Sequence, residues 1–365
     1  MTGAPVAGRP LPLPGRAVHH GAINRLRTEG GTVARPLVVA VLAALVAAVL
    51  AAAAMLGGGG TPGAALGRAP AALVNEEPVV RDLDPYRGHG AWVDAFDFAP
   101  AYQSGGATPA FVPASVDAMA EAGVRTVFVQ ATRNDSRSPA GLVDRARLAQ
   151  ILVRAHRNDM RVVGWYLPTF ADVGADLARL EAIAGFEVLG HRFDGVAVDI
   201  EFTEDVPDHA VRNRQLVELS RRFRASSGTD AIGAIVLPPV QLEVVNRDLW
   251  PDFPYDRLAE YYDVWLPMSY WTFRREDSGY NDGYAYNEES TRRLRVNLDD
   301  PEVAVHGIGG IGDVAETDDL EGFLRSLVDT GSIGGSIYDW TTLTEQGRDV
   351  LGSGFETGAG APLTP

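Results

Sequence analysis

Between residues 90 and 351 the chain alternates short apolar runs with longer stretches whose apolar residues recur at helical spacing. The short runs predict strands over residues 90–98, 126–132, 161–167, 195–201, 232–237, 264–270, 303–307 and 334–340. Amphipathic helices are predicted from Val112, Val143, Ala175 and Asp208, in the intervals between strands. A strict strand-then-helix order implies a parallel sheet with helices outside it. Eight such units fit the ~250 residues of a single (β/α)8 TIM barrel, with a doubly wound open sheet as the alternative. In such a barrel the chemistry gathers at the C-terminal ends of the strands.

The fourth strand is the informative one. In GVAVDIE the side chains alternate, so Val196, Val198 and Ile200 share one face and Ala197, Asp199 and Glu201 the other. The apolar set belongs against the helices, which turns Asp199 and Glu201 into the barrel mouth. Two partly desolvated carboxyl groups on one face raise the proton affinity of at least one of them, as a general acid requires.

Outside the barrel, residues 37–56 are continuously apolar. At ~1.5 Å rise per residue they span the ~30 Å hydrocarbon core of a membrane. Residues 1–56 carry Arg9, Arg16, Arg25, Arg27 and Arg35 against Glu29, a net +4, so the remainder carries −20 of the total −16. Positive residues before the apolar run predict a cytoplasmic tail over 1–36, a transmembrane helix over 37–56 and an extracytoplasmic domain. A cleaved signal peptide is the competing reading. Residues 57–81 read as a flexible linker, 82–352 as the barrel, and the glycine-rich 353–365 as an unstructured tail. A domain this acidic excludes nucleic acid as a partner and suits neutral ligands.

FDGVAVDIE resembles the fourth-strand signature of family 18 glycoside hydrolases, the chitinase-like barrels, in which FDG leads into DxxDxDxE. Asp194, Asp199 and Glu201 fill three of the four acidic positions, and Ala197 stands in the remaining one. PMSYW at 267–271 is similar to the sixth-strand MxYD, with Met268 and Tyr270 matched and Trp271 in place of the acid. The eighth strand ends in Trp340, where the family has the aromatic floor beneath the cleaved sugar. The third-strand SxGG is replaced by GWYLP at 164–168. The resemblance implies a carbohydrate substrate and a retaining, substrate-assisted cleavage of an N-acetylated glycan. Glu201 would be acid and base, Asp199 and Tyr270 would hold the acetamido group, and Asp194, Trp271, Trp340 and Asp339 would contribute to binding. Asp339 is also the candidate for a second carboxylate in a conventional mechanism. The short interval between the seventh and eighth strands leaves no room for the inserted domain of many chitinases, so a shallow groove is expected. A non-catalytic glycan-binding barrel is the rival function.

Other patterns are assigned little. GIGGIG at 307–312 has the form of a dinucleotide fingerprint but follows the seventh strand, so a tight turn at the barrel rim is expected and no cofactor. The seven histidines show no ligand spacing, and no metal is expected. Trp271, Phe273, Tyr280, Tyr284 and Tyr286, with Asn281, Asn287 and Glu288, form either a sugar-stacking loop or one that packs on itself. Asp94, Asp97, Gln130, Trp165 and Tyr166 stand near strand ends and are given no role.

Overall fold

A computed structural model describes residues 79–138 and 141–358. Eight parallel strands close into a barrel: β1 Gly88–Val93, β2 Thr126–Gln130, β3 Arg161–Tyr166, β4 Gly195–Ile200, β5 Ile232–Val236, β6 Val264–Pro267, β7 Ala304–Ile311 and β8 Gly334–Tyr338. Each pairs with its sequence neighbour, and β1 closes on β8 through Gly88 opposite Gly334. After the successive strands come α1 Ser115–Glu121, α2 Arg145–Arg157, α3 Val173–Ala184, α4 His209–Ser226, α5 Tyr255–Leu258, α6 Gly283–Asn297, α7 Thr317–Asp329 and α8 Glu345–Glu356. Aspartates start several of them: Asp144, Asp172, Asp208 and Asp282 each accept a bond from a first-turn amide. Among the described residues no helix is long and apolar enough to cross a membrane, and the 37–56 segment lies outside them.

The bottom of the barrel is plugged by one side chain from before the first strand. Tyr86 is fully buried, and its hydroxyl lies 2.9 Å from the Val196 carbonyl and 3.3 Å from that of Ala231. Glycine at 195 and 233 makes this possible, because a Cβ at 195 would fall 2.9 Å from the tyrosine hydroxyl and one at 233 would fall 2.8 Å from its ring. Above this plug the inward side chains grow larger, with Trp92 and Phe128 stacked at 4.5 Å.

Three sequence expectations change. The first predicted strand ends early, because Asp94 and Asp97 form a capping box that turns Ala95–Phe98 into a short helix. GIGGIG is no turn, since Gly307, Gly309 and Gly310 lie within β7. Side chains at 309 and 310 would meet Trp271 at 2.6 Å and 2.9 Å, so the glycines make room for that indole. The glycine-rich end is helical as far as Glu356: a Cβ at Gly352 would lie 2.9 Å from the Ala122 carbonyl and one at Gly354 would lie 2.4 Å from Leu324. Small residues here serve close packing, and Phe355 stacks on His89 at 4.8 Å.

Candidate active site

At the C-terminal mouth Trp92, Trp165, Asp199, Glu201, Ile235, Met268, Tyr270, Ile308 and Tyr338 surround a small cavity of about 10 Å³. Every one of these comes from a barrel strand or the residues just beyond its end. Asp199 and Glu201 share the inner face of β4 as the alternation required, and their residues are 4% and 8% exposed. The expected shallow groove is instead a narrow cavity, because four large aromatic side chains converge around the acids.

Burial raises the proton affinity of both carboxyl groups. Glu201 is displaced from 4.5 to about 7. Asp199 is also raised, by burial and then by the charge of Glu201. Its Oδ1 is buried and meets no hydrogen-bond donor. The pair therefore holds at least one proton at neutral pH and presents one unmatched acceptor. Tyr270 is also pushed upward, by burial and then by Glu201, Asp199 and Asp339, which places its phenol within the field of all three.

The other residues read from the sequence go elsewhere. Asp194 sits at the opposite end of β4, where it accepts from the Val162 amide at 2.8 Å and lies 2.9 Å from His156 Nε2. It is not brought to the cavity. Trp271, one position after Tyr270, faces the opposite way and packs at 5.6 Å from Phe323 of α7. Trp340 does not line the cavity, since β8 ends at Tyr338 and Arg348 lies 4.1 Å over the tryptophan ring. Tyr338 is the eighth-strand aromatic that does. The aromatic stretch after β6 packs on itself and on α7: Tyr286 is buried, Asn287 donates to Ser326 at 2.8 Å, and Tyr284 donates to Asp329 at 2.9 Å. Tyr166 faces outward and donates to Asp176 at 2.5 Å.

Asp339 joins Asp94 and Asp97, three buried carboxyl groups with oxygens within 4.8 Å of one another. Among the described residues this is the grouping whose spacing would suit a metal ion, but its oxygens already have protein donors. Asp94 accepts from Phe96 N and from the Tyr338 hydroxyl at 3.0 Å. Asp97 accepts from the Asp94 amide, and Asp339 from the Thr342 amide. The single hydroxyl proton of Thr341 faces both Asp97, at 2.9 Å, and Asp339, at 2.8 Å. A proton on one carboxyl satisfies the other contact, and Asp97 is raised toward that form by burial and by its two acidic neighbours.

Sequence reasoning missed Trp92, Tyr338, Ile235 and Ile308. The alternation used for β4, applied to β1 and β8, finds the two aromatics: Trp92 shares a face with Gly90 and Asp94, and Tyr338 with Ser336.

The closed (β/α)8 barrel carries an acidic pair at the end of its fourth strand, and its fold is similar to that of chitinases and chitinase-like proteins. No protein-family model matches the chain, and no curated protein does. Among solved structures it is similar to the C-terminal domain of a putative chitinase from Desulfitobacterium hafniense DCB-2. That match has a TM-score of 0.54 at 12% identity, over 74% of this chain and 99% of the other. The spore cortex-lytic enzyme SleL of Bacillus cereus matches at 0.51 and 9%, over 73% of each chain. A β-galactosidase from Halorubrum lacusprofundi matches at 0.53 and 11%, over 74% of this chain and 57% of its own. At these identities the likeness establishes the fold, and the differing names show that the fold does not choose the sugar.

Proposed function

We propose that this protein is a glycosidase acting on an N-acetylated glycan, tethered to the membrane through residues 37–56 with its barrel outside the cytoplasm. The observation that carries the reading is the acidic pair: burial raises the proton affinity of Glu201 beside Asp199, whose buried Oδ1 lacks a donor. A sugar acetamide would supply that donor. In the substrate-assisted route Glu201 gives its proton to the glycosidic oxygen as the bond to the anomeric carbon breaks. The acetamido carbonyl oxygen attacks that carbon from the other side, Asp199 holds the acetamido N–H, and Tyr270 donates to its oxygen. Water then enters, loses a proton to Glu201 and opens the cyclic intermediate, which restores the starting state.

Glu201→Gln keeps the shape of the side chain and removes the transferable proton. Turnover is expected to fall ~10²–10⁴-fold or more, with glycan affinity little changed. Defined N-acetylated glycans with product analysis provide the assay, and a variant with full turnover would dismiss the assignment. A glycan-binding barrel is the second reading, favoured by Ala197 and Trp271 standing where the chitinase pattern has acids. Binding without cleavage of any glycan by the wild type would establish it.

A further inference from the structure

At the bottom of the barrel, away from the acidic pair, the chain passes from α3 to β4 through a hairpin of two short antiparallel strands, Glu187–Val188 and His191–Arg192. Two residues per strand do not hold a hairpin by themselves. Its turn works against it, because Leu189 and Gly190 both take positive φ, at 52° and 78°. Glycine does so freely, whereas leucine is strained there, and the Leu189 side chain gains no burial in return, since the residue is 84% exposed. The hairpin is therefore fixed from outside. Arg192 pairs with Asp230, and the His191 ring meets His156 of α2, with the two Nδ1 atoms 2.8 Å apart.

The hydrogens of this contact follow from the other nitrogen of His156. Its Nε2 lies 2.9 Å from Asp194 Oδ2, an oxygen that also accepts the Val162 amide at 2.8 Å. A carboxylate accepts, so His156 carries a hydrogen on Nε2. A neutral imidazole holds one hydrogen, which leaves His156 Nδ1 an acceptor and makes His191 Nδ1 the donor. One added proton is accommodated, because it settles on the outer nitrogen of His191 and the bond between the rings survives. A second must go to His156 Nδ1. Two N–H groups then face each other, on two cations whose ring centres are 5.0 Å apart. Asp194 is the carboxylate in contact with the pair, and it balances one imidazolium, not two. The surrounding charges are Arg161 of β3, 4.0 Å from Asp194 and bonded to Asp84, Arg154 of α2, bonded to Asp117, Arg157 at the end of α2, and Glu187 of the hairpin. The His156 side chain is 17% exposed, so protons from water reach the pair.

We infer that His156 and His191 form an acid-sensitive clasp: a single hydrogen between the rings fastens the hairpin to α2, and protonation of both rings releases it. Val188 and Leu189 of the hairpin line one side of a groove of about 670 Å³, with residues of α1 and α2 on the others, so the groove is remodelled when the clasp opens. Asp194 stands at the foot of β4 and Glu201 beyond its head, and the device does not depend on what the acidic pair binds.

The test follows backbone amide exchange of residues 186–193 in the full-length protein from pH ~8 to ~5, each rate divided by the chemical exchange rate at that pH. An opening that takes up one proton grows about tenfold per pH unit. Protection of this segment should therefore fall ~10-fold per unit at the acid end of the range, while α6 and α7 keep theirs. His89 and His306, which burial lowers to about 4, stay neutral throughout. His191→Asn places an amide N–H where Nδ1 stands and cannot titrate, so it should keep the segment protected at both ends of the range. His191→Phe keeps a ring without the donor, and should lose ~5–10-fold protection at pH ~8 with no further loss on acidification. Nitrogen spectra of the ¹⁵N-labelled rings at pH ~8, assigned through these variants and His156→Asn, should show hydrogen on Nε2 of His156 and on Nδ1 of His191. Wild-type protection independent of pH, an equal fall in α6 and α7, wild-type pH dependence retained by His191→Asn, or a His191 hydrogen on Nε2 would each overturn the clasp, and none of these results touches the glycan reading.

Discussion

Replacing Glu201 by glutamine has a consequence that needs no substrate. Buried carboxyl groups prefer to be neutral, and the displacement of Glu201 from 4.5 to about 7 measures that preference. Below pH ~4.5 the side chain is protonated in the folded and the unfolded chain alike, and its burial has no pH-linked cost. Between ~4.5 and ~7 the unfolded chain releases the proton and the folded chain keeps it, so the folded state binds more protons and stability falls as pH rises. Above ~7 the penalty is complete. At ~1.4 kcal/mol for each tenfold change in proton affinity it amounts to roughly 3 kcal/mol. Glutamine carries no such penalty. Glu201→Gln should therefore match the wild type near pH 4 and exceed it at pH 8, by roughly 6 °C in melting temperature at ~2 °C per kcal/mol for a domain of this size. Thermal unfolding followed by circular dichroism at half-unit steps from pH 4 to 9 gives the comparison. A difference between the two proteins that stays constant across that range would refute the buried, proton-retaining site.

Asp199→Asn should slow cleavage only of glycans that bear an acetamido group beside the reacting carbon, and product analysis on paired acetylated and non-acetylated substrates checks this. Tyr86→Phe, which removes the hydroxyl facing the Val196 and Ala231 carbonyls, should cost about 1 kcal/mol in denaturant unfolding. Gly195→Ala should cost ~1–3 kcal/mol because its methyl group meets the tyrosine hydroxyl. Protease added to intact cells should degrade the barrel while an epitope on residues 1–36 survives in the membrane fraction. A freely released product beginning after residue 54 would reject the anchor.

Strand positions and the inner face of β4 could be read from the chain because both follow from a period of two with one face apolar. The same rule places Trp271 outward, since it is one step out of phase with Tyr270. It also places Asp194 at the bottom of the barrel, because this residue precedes Gly195 at the start of β4. Motif likeness pointed both residues at the substrate, and the geometry of a strand sends them elsewhere. Trp340, which the motif likeness also pointed at the substrate, lies outside the cavity for a different reason: β8 ends two residues earlier, and alternation says nothing of a side chain beyond the last ladder bond. Glycine was the least legible residue. Its run in β7 looked like a turn and its repeats near the C-terminus looked unstructured, yet each marks a tight approach whose other half, Trp271, Leu324 or the Ala122 carbonyl, lies far away in sequence.

The seam between β1 and β8 joins Gly88 to Gly334, almost the full length of the described domain, and α8 lies across it with Phe355 on His89. During synthesis β1 emerges first and its partner last. Until the final helix is available the sheet has two open edges, each a row of unpaired amides and carbonyls able to capture a neighbouring chain. A barrel closed this way cannot be finished piece by piece. A truncation that removes only α8 would leave every cavity residue present while unfastening the join, so loss of the last dozen ordered residues is expected to appear first as aggregation of nascent protein and only secondarily as a weakened site.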